Sequence, residues 1–130
     1  MYITYNSFAA RLWNRGSMPD KQTAILESDL VKSIMDRVAL LPDTRIKKLW
    51  SSGINRDVDL LVVCCGLAGF YEIKRPGERP TGWQANRLRY WAACGADVAW
   101  FDNVEACLDR ITALHSRGRG VQEYLSNGIT

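Results

Sequence analysis

Two carboxylates and one amine are spaced so that they could hold a divalent cation and direct a water molecule. Glu72 and Lys74 flank Ile73 in Phe70-Tyr71-Glu72-Ile73-Lys74, which reads as a strand, and Asp59 stands thirteen residues upstream at the head of a second apolar strand. Side chains alternate faces along a strand, so Glu72 and Lys74 share one face while Tyr71 and Ile73 take the other. A hard cation such as Mg²⁺ prefers carboxylate and carbonyl oxygens. Asp59 and Glu72 on paired strands would supply them, and Lys74 would support the attacking water. The chemistry this suits is metal-dependent hydrolysis of a phosphodiester. Arg56-Asp57-Val58-Asp59 offers two aspartates. Asp59 is preferred because it abuts the aliphatic run, with Asp57 as the alternative in a loop or supporting role. Either could instead be a turn residue bonding its own backbone.

Further residues are singled out by position. Glu27 sits near the border of an apolar helical stripe, as an exposed helical glutamate would. Gln84 closes Thr81-Gly82-Trp83-Gln84, which has capping-box spacing. Trp83 and Trp91, near two helical turns apart, are expected in the core. His115, the only histidine, falls near an expected helix C-terminus, where it suits the helix dipole better than general-base work. The cysteines at 64, 65, 94 and 107 match no zinc spacing and are expected to be reduced thiols, which points to the cytosol. No phosphate-binding loop and no nucleophile elbow occur, so no nucleotide cofactor is expected.

The elements that must carry these residues are legible in outline. From about Thr23, the residues Ile25, Leu26, Leu30, Val31, Ile34, Met35, Val38 and Leu41 recur at helical spacing until Pro42. Arg45 to Trp50 alternates weakly as a first strand, and 51–56 is a loop. Leu60 to Cys65 is continuously apolar, as suits a strand buried on both faces. Gly66-Leu67-Ala68-Gly69 should turn it back into the Glu72 strand as an antiparallel hairpin. After Pro76, Gly77 and Pro80 a second helix carries Leu88 and Trp91 and ends near Gly95. Asp97 to Phe101 is a fourth strand. A third helix spans 104–115, capped by Asp102 or Asn103, and 116–130 reads as a glycine-interrupted, partly mobile tail. Residues 1–22 read as a loosely attached arm with a short helix at Phe8 to Trp13. The expected fold is one α/β domain over 1–130, core about 23–115, with a mixed four-stranded central sheet, helices on both sides, and the site at a sheet edge opened by the hairpin.

The chain has 130 residues, 47% of them hydrophobic, enough for one core without disulfides. No stretch approaches the ~20 apolar residues of a membrane helix. Seventeen basic against fourteen acidic residues give only +3. Their placement says more: Arg45, Lys47, Lys48 and Arg56 precede the acidic centre, and Lys74, Arg75, Arg79, Arg87 and Arg89 follow it, as a phosphate backbone would require.

In this order of elements, with Glu27 on the first helix, Gly53 before Asp59, Leu60 to Val63 behind it, Glu72-x-Lys74 on the next strand and Gln84 after a proline loop, the chain resembles the VRR-NUC domain of the PD-(D/E)XK nuclease superfamily over roughly residues 23–110. It departs from the family pattern where a proline usually precedes the metal-binding aspartate; Val58 stands there. The resemblance implies a restriction-endonuclease-like core in αβββαβ order. It implies Mg²⁺ or Mn²⁺ held by Asp59, Glu72 and the Ile73 carbonyl, with Glu27 as a further acidic ligand and Gln84 beside Lys74. It also implies a small homodimeric endonuclease, of a kind frequent in phage, that acts on DNA including branched forms such as four-way junctions inside a bacterial or phage-infected cell. Leu49, Trp50, Phe8, Leu12 and Trp13 are candidates for the dimer surface. The rival readings are a catalytically silent nucleic-acid-binding module or a partner-binding subunit on the same fold.

Overall fold

In the computed structural model the described residues are 25–49 and 57–128. The apolar periodicity after Ile25 folds as helix α1, Glu27–Val38, burying Leu30, Val31, Ile34 and Val38. The Asp29 carboxylate accepts the Leu26 N–H at 3.2 Å, which satisfies one of the donors a helix start leaves over. Four strands follow: β1 Thr44–Lys48, β2 Leu60–Cys64, β3 Leu67–Ile73 and β4 Asp97–Phe101. They lie in the order β1-β2-β3-β4, antiparallel across the first three and parallel between β3 and β4. The parallel step needs a crossover, supplied by helix α2, Gly82–Ala93. Helix α3, Val104–Gly128, closes the chain.

The sheet has helices on both faces, as its composition requires. Leu60, Val62 and Cys64 of β2, with Tyr71 and Ile73 of β3, pack against α1 and α3. On the other face Phe70 packs with Val58 and with Leu88 of α2, joined by Leu61, Val98, Trp91 and Trp100. Strand β3 is thus covered from both sides, whereas β2, expected to be buried on both faces, is buried on one and only partly covered on the other, where Leu61 is half-buried and Val63 is 41% exposed. The architecture is α/β with a mixed four-stranded sheet. The first strand is shorter than expected, and Trp50, the 51–56 loop and the N-terminal arm with Phe8, Leu12 and Trp13 lie outside the described residues.

The turn differs from expectation. Cys64 pairs with Leu67, so the hairpin closes on two residues, Cys65 and Gly66. Their φ values of 49° and 86° are the left-handed pair that a tight hairpin of this twist demands. Gly69 belongs to β3 instead, where a Cβ would fall on the Tyr71 hydroxyl. That hydroxyl donates to Asp97 Oδ2 at 2.7 Å, and Arg110 bonds both Asp97 oxygens at 2.9 and 2.7 Å. Burial alone would raise the Asp97 carboxyl, but the Arg110 and Tyr71 bonds outweigh it and hold the group below its ordinary 3.8. An acid with a lowered folded pKa stabilises above its unfolded pKa and loses that contribution as pH falls through the folded value. Asp97→Asn should therefore lower the melting temperature near pH 6, and the gap to the parent should close as pH falls below the ordinary carboxylate range; a gap that persists in acid would mean a packing effect.

Helix α3, expected to stop at residue 115, instead runs thirteen residues further, through Gly118 and Gly120. Gly118 is buried, and a Cβ there would stand 2.7 Å from the Cys64 carbonyl oxygen and 2.8 Å from Cys65 Cβ. The absent side chain lets the helix press on the hairpin turn. At Gly120 a Cβ would meet nothing within 4 Å. Gly118→Ala should cost about 1–3 kcal/mol in chemical denaturation, because a backbone carbonyl must move. Gly120→Ala should gain about 0.5–1 kcal/mol through helix propensity alone. Equal effects of the two would refute the contact. His115, now mid-helix, places Nε2 2.9 Å from the Pro42 carbonyl, so it does not sit at a helix end. Asn103 caps α3, accepting the Ala106 N–H at 2.8 Å, while Asp102 accepts from Gly77 in the loop after β3 at 3.2 Å. Among the described residues no helix is long and apolar enough to cross a membrane.

Candidate active site

The hairpin register decides what stands beside Glu72. Leu60 pairs with Tyr71, so one more step along both strands puts Asp59 opposite Glu72. Directly opposed side chains are within about 5.5 Å at their Cβ atoms. Asp59 Oδ2 accepts the Ile73 N–H at 2.7 Å, and the Leu49 N–H reaches the Asp59 carbonyl at 2.8 Å, so Asp59 is clamped between β1 and β3. The site lies where β2 begins and β3 ends, inside the sheet rather than at a lateral edge, because β2 and β3 are the two inner strands.

Glu72 is only 3% exposed, and its Oε2 is the one buried side-chain oxygen or nitrogen without a partner among the described residues. Burial pushes its carboxyl up to about 9, the charge and hydrogen bond of Asp59 add to the rise, and Lys74 opposes it. Two carboxyls thus share a dry place that tolerates one negative charge poorly. Either a proton or a cation must relieve the crowding.

Lys74, 8% exposed, extends past the end of β3 and is met from both layers. Its Nζ lies 3.2 Å from Glu27 Oε1, in the first turn of α1, and donates to Gln84 Oε1 of α2 at 3.4 Å. The two readings of Gln84 are realised together. Its Oε1 accepts the Thr81 N–H at 2.9 Å and Thr81 Oγ1 accepts the Gln84 N–H at 3.3 Å, so the box that starts α2 also fixes an oxygen beside Lys74. Asp59, Glu72, Lys74, Gln84 and Glu27 therefore converge, and Ile73 contributes backbone between the two carboxylates. Among the described residues no three His, Cys, Asp or Glu side chains stand ready as a metal cage: the centre is a carboxyl pair, with Glu27 drawn toward Lys74.

Asp57 has a different place. Its Oδ1 accepts the Trp91 indole N–H at 2.8 Å and the Val58 N–H at 2.8 Å, which braces α2 against the start of β2. Trp91 in turn stacks on Phe70 with ring centres 3.9 Å apart. No family model, curated protein or solved structure matches the chain.

Trp83, expected in the core, is instead 44% exposed on the outer side of α2. Eight residues at about 100° each leave it some 80° around the helix from Trp91, enough to miss the sheet. The thiols are all free, but Cys94 is exposed while Cys64, Cys65 and Cys107 are buried.

Proposed function

We propose that this chain is a metal-dependent endonuclease that hydrolyses DNA phosphodiesters, with Asp59, Glu72, Lys74 and Gln84 as its working residues on a restriction-endonuclease-like core. The observation that carries this reading is the buried Glu72 with an unpartnered Oε2, opposed to Asp59 and two residues from a buried lysine. Oxygen ligands held in excess of their local positive charge fit a hard divalent cation such as Mg²⁺ or Mn²⁺. Asp59, Glu72 and the Ile73 carbonyl would hold it, and Glu27 would join them or orient water once its hold on Lys74 loosens. When bound, such an ion lowers the pKa of water and neutralises charge on the phosphate.

The remaining steps belong to the chain's own groups. Lys74 donates from its ammonium toward the attacking water or the scissile phosphate, held on line by Gln84 from one layer and Glu27 from the other. Asp59, fixed by the Ile73 N–H, keeps one oxygen in a constant position. Exposed Arg45, Lys47, Lys48, Arg75 and Arg79 offer positive charge for the flanking backbone. A purified-protein screen of single-stranded, duplex, flap and four-way-junction DNA with Mg²⁺ or Mn²⁺ tests the reading. Nicks that vanish with chelator support it, and paired symmetric cuts in a junction support a two-fold dimer carrying two centres. Tight DNA binding without cleavage under every metal condition would replace it with a silent binding module.

A further inference from the structure

Trp83, Arg87 and Tyr90 recur at helical spacing along one side of α2, next to Trp91, whose ring meets that of Tyr90 edge-on with centroids 5.4 Å apart, while Leu88 and Trp91 pack toward the sheet. Trp83 and Tyr90 are 44% and 57% exposed. The Arg87 guanidinium stands 5.2 Å from the Trp83 ring centre and 5.3 Å from that of Tyr90, so the three groups make one continuous layer of flat, polarisable surface. Helix α2 carries Arg87 and Arg89 and no acidic residue, and Arg75 and Arg79 are exposed just before it. The layer begins one residue from Gln84, whose side chain reaches Lys74.

We propose that Trp83, Arg87 and Tyr90 form a stacking platform for unpaired nucleotides on the strand that leads into the Asp59–Glu72 centre, which gives the enzyme a preference for DNA with a single-stranded element. The inference rests on the phosphodiesterase reading of that centre for its direction. Its chemistry has two halves. Aromatic faces take bases of any sequence, and the guanidinium held between the rings adds charge to the stack. In an intact duplex the base faces are buried in their own stack, so only splayed or single-stranded nucleotides can use the surface. A peptide partner is disfavoured because the layer presents two aromatic faces and one guanidinium with no aliphatic residue at its centre.

The test is fluorescence anisotropy with labelled oligothymidine and a blunt duplex of equal length, in a Glu72→Gln background so that nothing is cut. Trp83→Ala should weaken oligothymidine binding about tenfold, equivalent to about 1.4 kcal/mol, and change duplex binding less than about twofold. Trp83→Phe should restore most of the loss, and Tyr90→Ala should repeat it in milder form, with melting temperatures showing that each variant is folded. An unchanged affinity, an equal loss on both DNAs, or no oligothymidine binding by the parent would each overturn the platform. If the wild-type chain cuts no DNA yet its oligothymidine binding depends on Trp83, the platform stands and the nuclease reading falls. Cleavage that is indifferent to Trp83 and Tyr90 on every substrate keeps the nuclease reading and removes the platform.

Discussion

Glu72→Gln is expected to remove Mg²⁺-dependent cleavage, by at least about 10³-fold, while making the metal-free protein more stable above neutral pH. The two effects have one cause. Glu72 is held near 9 by burial and by Asp59, against an ordinary 4.5, so the folded chain keeps a proton there that the unfolded chain releases. Where the folded state binds more protons than the unfolded one, stability falls as pH rises; here the fall spans the interval from about 4.5 to about 9. Glutamine keeps the shape, offers an N–H to Asp59 and carries no charge to desolvate. The variant should gain about 1–3 kcal/mol near pH 8 in chelator and converge with the parent near pH 4.5. Melting curves across that range, beside single-turnover cleavage, check both halves. Mg²⁺ should raise the melting temperature of the parent and not of the variant. Residual cleavage near the parental level would remove Glu72 from the mechanism, and identical pH profiles would remove the crowded carboxyls.

Lys74→Ala should cost at least about 10²-fold in cleavage rate, the usual size of losing one preorganised charge donor. It should also destabilise the fold, because Glu27 and Gln84 lose their common partner while Glu27 and Glu72 lose the cation between them. Lys74→Met separates the two effects by keeping the aliphatic stem without the charge. Methionine is expected to recover stability and leave the rate as low as in alanine. A methionine variant that cuts normally would make Lys74 a packing residue.

The inner strands are legible because an unbroken aliphatic run marks Leu60–Val63, although Val63 on its second face stays exposed, and α1 because its apolar residues keep helical spacing to Val38. The convergence of Asp59, Glu72 and Lys74 follows from strand alternation and hairpin pairing alone. The choice between the aspartates does not, since it depends on the Trp91 indole reaching Asp57 from thirty-four positions away. The long α3 escapes a reading of the sequence because Gly118 and Gly120 look like helix breakers. At Gly118 the cost of a flexible backbone is offset by a contact with Cys64 and Cys65 that no local pattern reveals. Trp83 is misplaced for a similar reason: spacing near two turns is not two turns, and the offset carries the ring off the sheet.

The Cys65–Gly66 turn has an influence on the carboxylates at the opposite end of its hairpin. Strand pairing admits only whole-residue steps, and each step reverses which way every side chain points. One residue inserted in the turn would slide β3 against β2, so that either Tyr71 or Ile73 would be carried opposite Asp59 in place of Glu72. The distance from turn to carboxylates is five paired rungs, roughly 17 Å at the rise of an extended chain. A two-residue loop that touches no substrate thus acts as the reading frame of the centre. Loop-length variants there should behave as frameshifts of the site, with chemistry lost outright at one added residue, long before the sheet itself gives way.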